Sequence, residues 1–193
     1  MIIDFKGRTV VVTGADHGLG RAIARTFADL GAATWICGID AAKLAETAGG
    51  RMQHRVVDVG DRDAVQRFIA EVGAVDILVN NAGGVAGQVN QPIENVMPAQ
   101  WQAIINVNAV GTFNMCQAVA PGMKARKAGR IVNISSGAGL RPSLTGIQAY
   151  TMAKHAVVGL TKQLALELGP HGITVNSVAP GFVRSNPSTE KQW

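Results

Sequence analysis

Residues 9–20 read TVVVTGADHGLG. Thr9 to Thr13 are all β-branched, and branching at Cβ favours a strand. Gly14, Gly18 and Gly20 follow. Glycine lets the backbone take positive φ and come close to a ligand or to another segment. Leu19, Ile23, Phe27 and Leu30 then recur at helical spacing, and Gly31 suits the position just past a helix end. The stretch predicts a strand, a glycine loop and a helix. A helix starting from such a loop directs unpaired N–H groups and a partial positive charge outward, which suits a pyrophosphate. A tight turn with no ligand is the competing explanation; the strand before the loop and the amphipathic helix after it weigh against that.

The same alternation continues along the chain. Thr34–Cys37, Arg55–Asp58, Val75–Val79, Arg130–Ile134 and Ile173–Val178 are apolar runs of strand length. A helix begins near Ala41, and Ala64–Val72, about Ala99–Ala120 and Ala149–Leu168 carry helical periodicity. The expected fold is α/β: a doubly wound, Rossmann-type parallel sheet with helices on both faces, in three layers α/β/α. The strands lack polar alternation, as expected where both faces of a sheet are covered. Four segments leave a strand into a polar or glycine-rich tip: TGADHGLG, NNAGG, SSGAG and APGFV. In such a sheet all four lie along the carboxyl edge, where ligands bind.

The 193 residues are 47% hydrophobic and 16% charged, which suits one domain with a sizeable core and excludes a disordered chain. No run of 18 apolar residues exists, and the N-terminus lacks the order of a signal peptide. Cys37 and Cys116 are too few for a disulfide framework and lack metal-ligand spacing, so no metal is expected. The expectation is a soluble cytoplasmic protein without a membrane partner. The net charge is +5, with one short basic cluster at Lys124, Arg126, Lys127 and Arg130. No aromatic residue interleaves with it, so nucleic acid is not expected as a partner. Cations at a helix C-terminus offset the helix dipole and account for the cluster.

Tyr150, the only tyrosine, stands four residues before Lys154, so a helix puts both on one face. A free phenol with a pKa near 10 is a poor base at neutral pH, but a nearby ammonium favours the phenolate. Tyr150 could then take or give a proton. Ser135 and Ser136 end a strand at the ligand edge.

TGxxxGxG at Thr13–Gly20, NNAG at Asn80–Gly83, the serine pair, YxxxK at Tyr150–Lys154 and PG at Pro180–Gly181 together resemble the short-chain dehydrogenase/reductase family over essentially the whole chain. The resemblance implies an NAD(P)-dependent oxidoreductase that moves hydride between a nicotinamide cofactor and a secondary alcohol or ketone. It implies four catalytic residues. Ser136 would hold the substrate oxygen, Tyr150 would act as general acid/base and Lys154 would support it. The Asn108 carbonyl would bind a water linking Lys154 to solvent; Asn106 competes for that role. A buried Asn108 bonded within its own helix is a compatible reading. The resemblance implies a cofactor site of Gly14, His17, Gly18, Leu19, Gly20, Asp58, Val59, Asn81, Ala82, Gly83, Tyr150, Lys154, Pro180, Gly181, Val183 and Ser185. Asp58 could instead be an ordinary helix cap.

The chain departs from the family pattern in three places. The position of the ribose-binding acid at the end of the second strand is Gly38; Asp40 lies two residues on and could substitute, or could simply cap the next helix. No fixed cation stands ready for a 2′-phosphate, so NAD is expected over NADP. Ser136 and Tyr150 are 14 positions apart, one more than is usual, which implies an extra residue in the segment before Tyr150 and leaves Ser135 as the alternative. Segment Leu140–Gln148 is polar enough for a sugar or polyol; a 3-oxoacyl-[acyl-carrier-protein] substrate is the alternative. The chain stops just after the PG loop, so the C-terminal substrate lid and last strand of similar proteins are expected to be lacking. A homodimer or homotetramer paired through the long helices is expected, and a non-catalytic dinucleotide-binding protein is the competing class.

Overall fold

The computed structural model describes residues 3–183, and among these six parallel strands form one sheet in the order β3-β2-β1-β4-β5-β6. The strands are β1 Thr9–Thr13, β2 Ala33–Gly38, β3 Gln53–Val56, β4 Ile77–Asn80, β5 Gly129–Ile134 and β6 Ile173–Val178. The helices are α1 Gly18–Asp29, α2 Ala41–Ala48, α3 Arg62–Val72, α4 Pro98–Ile105, α5 Gly111–Arg126 and α6 Gln148–Leu168. The order reverses between β1 and β4, and this switch point opens a crevice beyond their carboxyl ends. The expected doubly wound sheet is the one observed.

Successive valines of β1 face opposite layers. Val10 and Val12 pack with Ala24, Ile36 and Leu44, against α1 and α2. Val11 packs with Phe68, Leu78, Met115 and Ile131, against α3 and α5. All three valines are fully buried. Coverage on both faces holds for the centre of the sheet only. In β6, Thr174, Asn176, Ser177 and Val178 are exposed, and β3 is exposed at three of its four positions.

β4 starts two residues later and α3 two residues earlier than the sequence reading has them, and three further differences bear on the packing. β3 lies two residues earlier, because its ladder partners are Trp35–Gly38 and Asp58 turns away to accept from Gly60 N–H. The helix expected to stop at Ala120 runs to Arg126. Pro121 lies inside it, and burial of Val119 and Met123 on the core side holds the segment helical. Asn106–Val110, between α4 and α5, is a wide π-helical turn rather than regular α-helix.

The basic cluster closes α5 as expected. Lys124 pairs with Glu167 at 3.0 Å, Arg126 donates to the Val75 carbonyl at 2.6 Å, and Lys127 takes the left-handed position after the helix. Arg130 donates to the carbonyls of Gly129 and Gly172.

Leu78 sits fully buried in β4 at the centre of the sheet. Leu78→Ala should cost about 2–5 kcal/mol of unfolding free energy, read from the urea midpoint at unchanged slope. A loss under about 1 kcal/mol would mean the site collapses around the deletion.

Candidate active site

Thr13 ends β1 and joins two strand tips. Its Oγ1 accepts from the N–H groups of Asn81 at 3.0 Å and Ala82 at 2.9 Å. Asn81 Nδ2 returns bonds to the carbonyls of Thr13 at 3.1 Å and Gly14 at 3.0 Å. The loops after β1 and β4 consequently touch. A Cβ on Gly14 would lie 2.7 Å from Ala82 Cα, and one on Gly20 would lie 2.2 Å from the Gly14 carbonyl oxygen. Gly14 and Gly18 also hold positive φ, of 61° and 56°. His17 caps α1 by backbone only, and the first turn holds no acidic residue. The N–H groups of that turn are therefore free of an internal anion, and the glycines keep side chains out of their way. A pyrophosphate fits the chemistry of this loop.

A second group forms around Lys154, which is 3% exposed. Its Nζ donates to the Ile134 carbonyl at 2.8 Å and lies 5.5 Å from the centre of the Tyr150 ring. A Cβ on Gly83 would stand 3.2 Å from that Nζ and 2.4 Å from Asn108 Oδ1. Asn108, fully buried in the wide turn, accepts from Gly84 N–H and donates to the carbonyls of Gly84 and Ile104. Its own carbonyl accepts from the Thr112 hydroxyl at 2.8 Å. Ser135 is buried and donates to the Lys154 carbonyl at 3.0 Å. Ser136 is half-buried, accepts from Ala138 N–H, and lies close enough to the Tyr150 phenol to bond it. Gly137 N–H donates to the Pro180 carbonyl at 2.8 Å, which draws the tip of β6 against that of β5.

Residues 8–192 match the model of the family described as short chain dehydrogenase. The chain belongs to that family. The short-chain dehydrogenases are NAD(P)-dependent oxidoreductases that act between an alcohol and a ketone, and this chain is one of them. It is 39% identical over 197 residues to D-beta-hydroxybutyrate dehydrogenase of Rhizobium meliloti, covering 96% of this chain and 74% of that enzyme. A 3-oxoacyl-[acyl-carrier protein] reductase with bound NAD from Brucella melitensis superposes with a TM-score of 0.88 at 36% identity, over 99% of this chain and 78% of that one. A gluconate 5-dehydrogenase from Burkholderia cenocepacia, in complex with NADP and tartrate, does so with a TM-score of 0.83 at 37% identity, over 94% and 73%.

In this short-chain dehydrogenase, the expected residues gather at one edge. Leu19 and Gly20 lie in the first turn of α1, and Asn81, Ala82 and Gly83 face them from the tip of β4. Pro180 is half-buried and Gly181 and Val183 are exposed in the segment after β6; Ser185 lies outside the described residues. Asp40 has both carboxylate oxygens engaged. Oδ1 accepts from Lys43 N–H and Oδ2 pairs with Lys43 Nζ at 2.8 Å, so it caps α2. Asp58 is exposed and accepts from Gly60 N–H, while the cap of α3 is Asp61. Val59 is buried against Gly111 and its carbonyl accepts from Asn114, so only its N–H is left for a ligand.

Electrostatics differ from the expectation for Tyr150. Burial pushes its phenol above the ordinary value, and the hydrogen bond with Ser136 opposes this. The Lys154 ammonium lies over the ring face rather than at the hydroxyl, and burial drives Lys154 itself down to about 8. Desolvation disfavours charge on both groups. Two further residues come forward. The sequence marks Thr13 as a strand end and the start of TGxxxGxG, and the role of its hydroxyl follows from the β1–β4 pairing. Asp16, a carboxylate in a loop of small residues, is 6% exposed and bonds His17 Nδ1 at 2.8 Å. Among the described residues no three His, Cys, Asp or Glu side chains gather as a metal site.

Because Tyr150 is the only tyrosine, its ionisation can be followed alone. Ultraviolet difference titration of the free protein should give a tyrosinate midpoint above the ordinary value of 10.0. A midpoint near neutrality would show that the ammonium outweighs burial.

Proposed function

We propose that this chain reduces a ketone, or oxidises the matching secondary alcohol, with NAD, and that Asn108, Ser136, Tyr150 and Lys154 carry the chemistry. The observation that supports this most is the buried Lys154 ammonium, held by the Ile134 carbonyl over the Tyr150 ring and beside Gly83 and Asn108. When bound, the nicotinamide supplies or accepts the hydride. The backbone of Gly14–Gly20 would hold the pyrophosphate, Asp58 and Val59 would meet the adenine, Pro180 and Gly181 would turn the chain beneath the nicotinamide, and Val183 would bond its amide, with Ser185, outside the described residues, as the further candidate there.

Ser136 donates a hydrogen bond to the substrate oxygen and orients it toward Tyr150. The Tyr150 hydroxyl gives its proton to that oxygen as reduction proceeds, and takes one back in oxidation. Burial keeps the phenol protonated in the free protein at neutral pH, the state that a proton donor needs. Lys154, brought down to about 8, is still mostly charged at neutral pH and can pass a proton toward the Asn108 carbonyl, whose second lone pair is left for water.

An acyl ketone is the favoured substrate. Leu140 and Leu144, in the segment expected to be polar, are exposed, and Ile93 and Met97 are exposed in the segment after β4. The two segments meet where Asn90 N–H donates to the Thr145 carbonyl at 2.7 Å. These side chains supply an apolar rim for an acyl chain, in line with the Brucella reductase. A polyol is the second reading, in line with the Burkholderia dehydrogenase and with the buried Gln88 side chain bonded to Gln148.

The chain acts as one dinucleotide-binding and catalytic unit, in the cytoplasm, as a homodimer or homotetramer. Among the described residues no helix is long and apolar enough to cross a membrane. A groove of about 370 Å³ between α5 and α6, lined by Phe113, Cys116, Gln117, Leu164, Glu167 and Leu168, supports pairing through those helices.

Tyr150→Phe should lower kcat about 10²–10⁴-fold with 3-oxoacyl and polyol substrates alike, and leave the dissociation constant for NADH unchanged. Near-normal turnover would remove Tyr150 from proton transfer, and absence of turnover in the parent protein would favour a binding protein. Sedimentation should give a dimer or tetramer, with Phe113→Glu shifting it toward monomer; a monomeric parent would overturn the assembly reading.

A further inference from the structure

We propose that Asp16, in the glycine loop, does the work of the missing acid at the end of β2: its carboxylate accepts hydrogen bonds from the adenosine ribose hydroxyls and excludes a 2′-phosphate. The proposal rests on the cofactor reading above and adds the residue that chooses between NAD and NADP.

The geometry of Gly38 carries it. Gly38 is the last residue of β2, where an acidic side chain would meet the ribose. A Cβ built on Gly38 would lie 3.2 Å from Asp16 Cγ and 3.3 Å from Asp16 Oδ2. Asp16 therefore fills the space that the base of a side chain at position 38 would take. A carboxylate is present at the tip of β2, but it arrives from β1, and the glycine at 38 is the condition for it.

The partners of Asp16 leave one oxygen to a ligand. Oδ1 is bonded to His17 Nδ1 at 2.8 Å, while among the described residues Oδ2 has no hydrogen-bond donor. The side chain is 8% exposed, so its direction is fixed by packing. Its charge is felt by its neighbours. After burial, Asp16 is the next cause pushing the Cys37 thiol up to about 12.

The nearby cations are already paired. Arg21 forms two bonds to the Glu46 carboxylate, at 2.6 and 3.1 Å, and a third to the Asp16 carbonyl at 2.7 Å. Lys43 is paired with Asp40 at 2.8 Å. A 2′-phosphate would thus face the Asp16 carboxylate with neither Arg21 nor Lys43, the cations near it among the described residues, left uncommitted, whereas a ribose diol would donate to Oδ2.

The test is fluorescence titration of NADH and NADPH, without substrate, on the parent protein and on Asp16→Ser, Asp16→Asn, Gly38→Asp and the double variant Asp16→Ser/Gly38→Asp. Circular dichroism checks that each variant is folded. The parent should bind NADH at least about tenfold more tightly than NADPH, and both single changes at position 16 should narrow that ratio about tenfold or more. Gly38→Asp alone should weaken both cofactors, because two carboxylates then crowd one space; the double variant should regain the NADH preference. A parent that prefers NADPH, or an unchanged ratio in both position-16 variants, overturns the role of Asp16 while leaving the cofactor reading intact. A parent that binds neither nucleotide overturns the cofactor reading and this inference with it.

Discussion

The Thr13 hydroxyl accepts two backbone N–H groups from the tip of β4, and the Asn81 amide returns two bonds to the tip of β1. The site hangs on this four-bond clamp. β1 and β4 are the strands that flank the switch point, so their tips would otherwise diverge as the chain leaves for opposite layers. Each bond contributes about 0.5–1.5 kcal/mol net, but an unpaired buried partner would cost more than the bond gains. The clamp brings Gly14 against Ala82 so closely that no side chain can stand at position 14. The geometry of the glycine loop is thus set from β4, not by the loop alone.

The catalytic side is fixed by a similar economy of backbone groups. Lys154 is buried on α6, yet its ammonium reaches the Ile134 carbonyl at the end of β5, and Asn108 links the Gly84 backbone to α4. Gly83 lies between them with room for no side chain. Helix α6, strand β5, the loop after β4 and the wide turn before α5 therefore converge on a space of a few ångströms. Charge in that space is disfavoured by burial, and the depressed lysine and raised tyrosine are two expressions of one cause.

Much of this was legible in the chain itself. The run of β-branched residues before Gly14, the apolar positions Leu19, Ile23 and Phe27, and the four-residue step from Tyr150 to Lys154 each encode a local geometry that tertiary packing leaves intact. The serine pair at the end of a strand was legible too, and of the two Ser135 is buried and bonded to the Lys154 carbonyl. What was not legible depends on groups distant in sequence. Pro121 marks a helix end by local rules, but the burial of Val119 and Met123 carries α5 past it. The Tyr150 shift depends on how deeply α6 is packed, which spacing does not reveal. Asp16 and Gly38 lie 22 positions apart, and only the pairing of β1 with β2 makes them neighbours. Leu140 and Leu144 sit in a polar stretch whose outward direction is a property of the folded loop.

The wide turn at Asn106–Val110 accommodates one residue more than a regular helix would between the same two ends. Each residue of an α-helix advances the azimuth by about 100°. Wound as regular α-helix, the same number of residues would turn Met115, Val119 and Met123 by about that angle, off the sheet and toward solvent. The irregularity therefore acts as a phase corrector: it lets a single rod present Asn108 to the crevice at one end and a seam of sulfur and valine to the interior at the other.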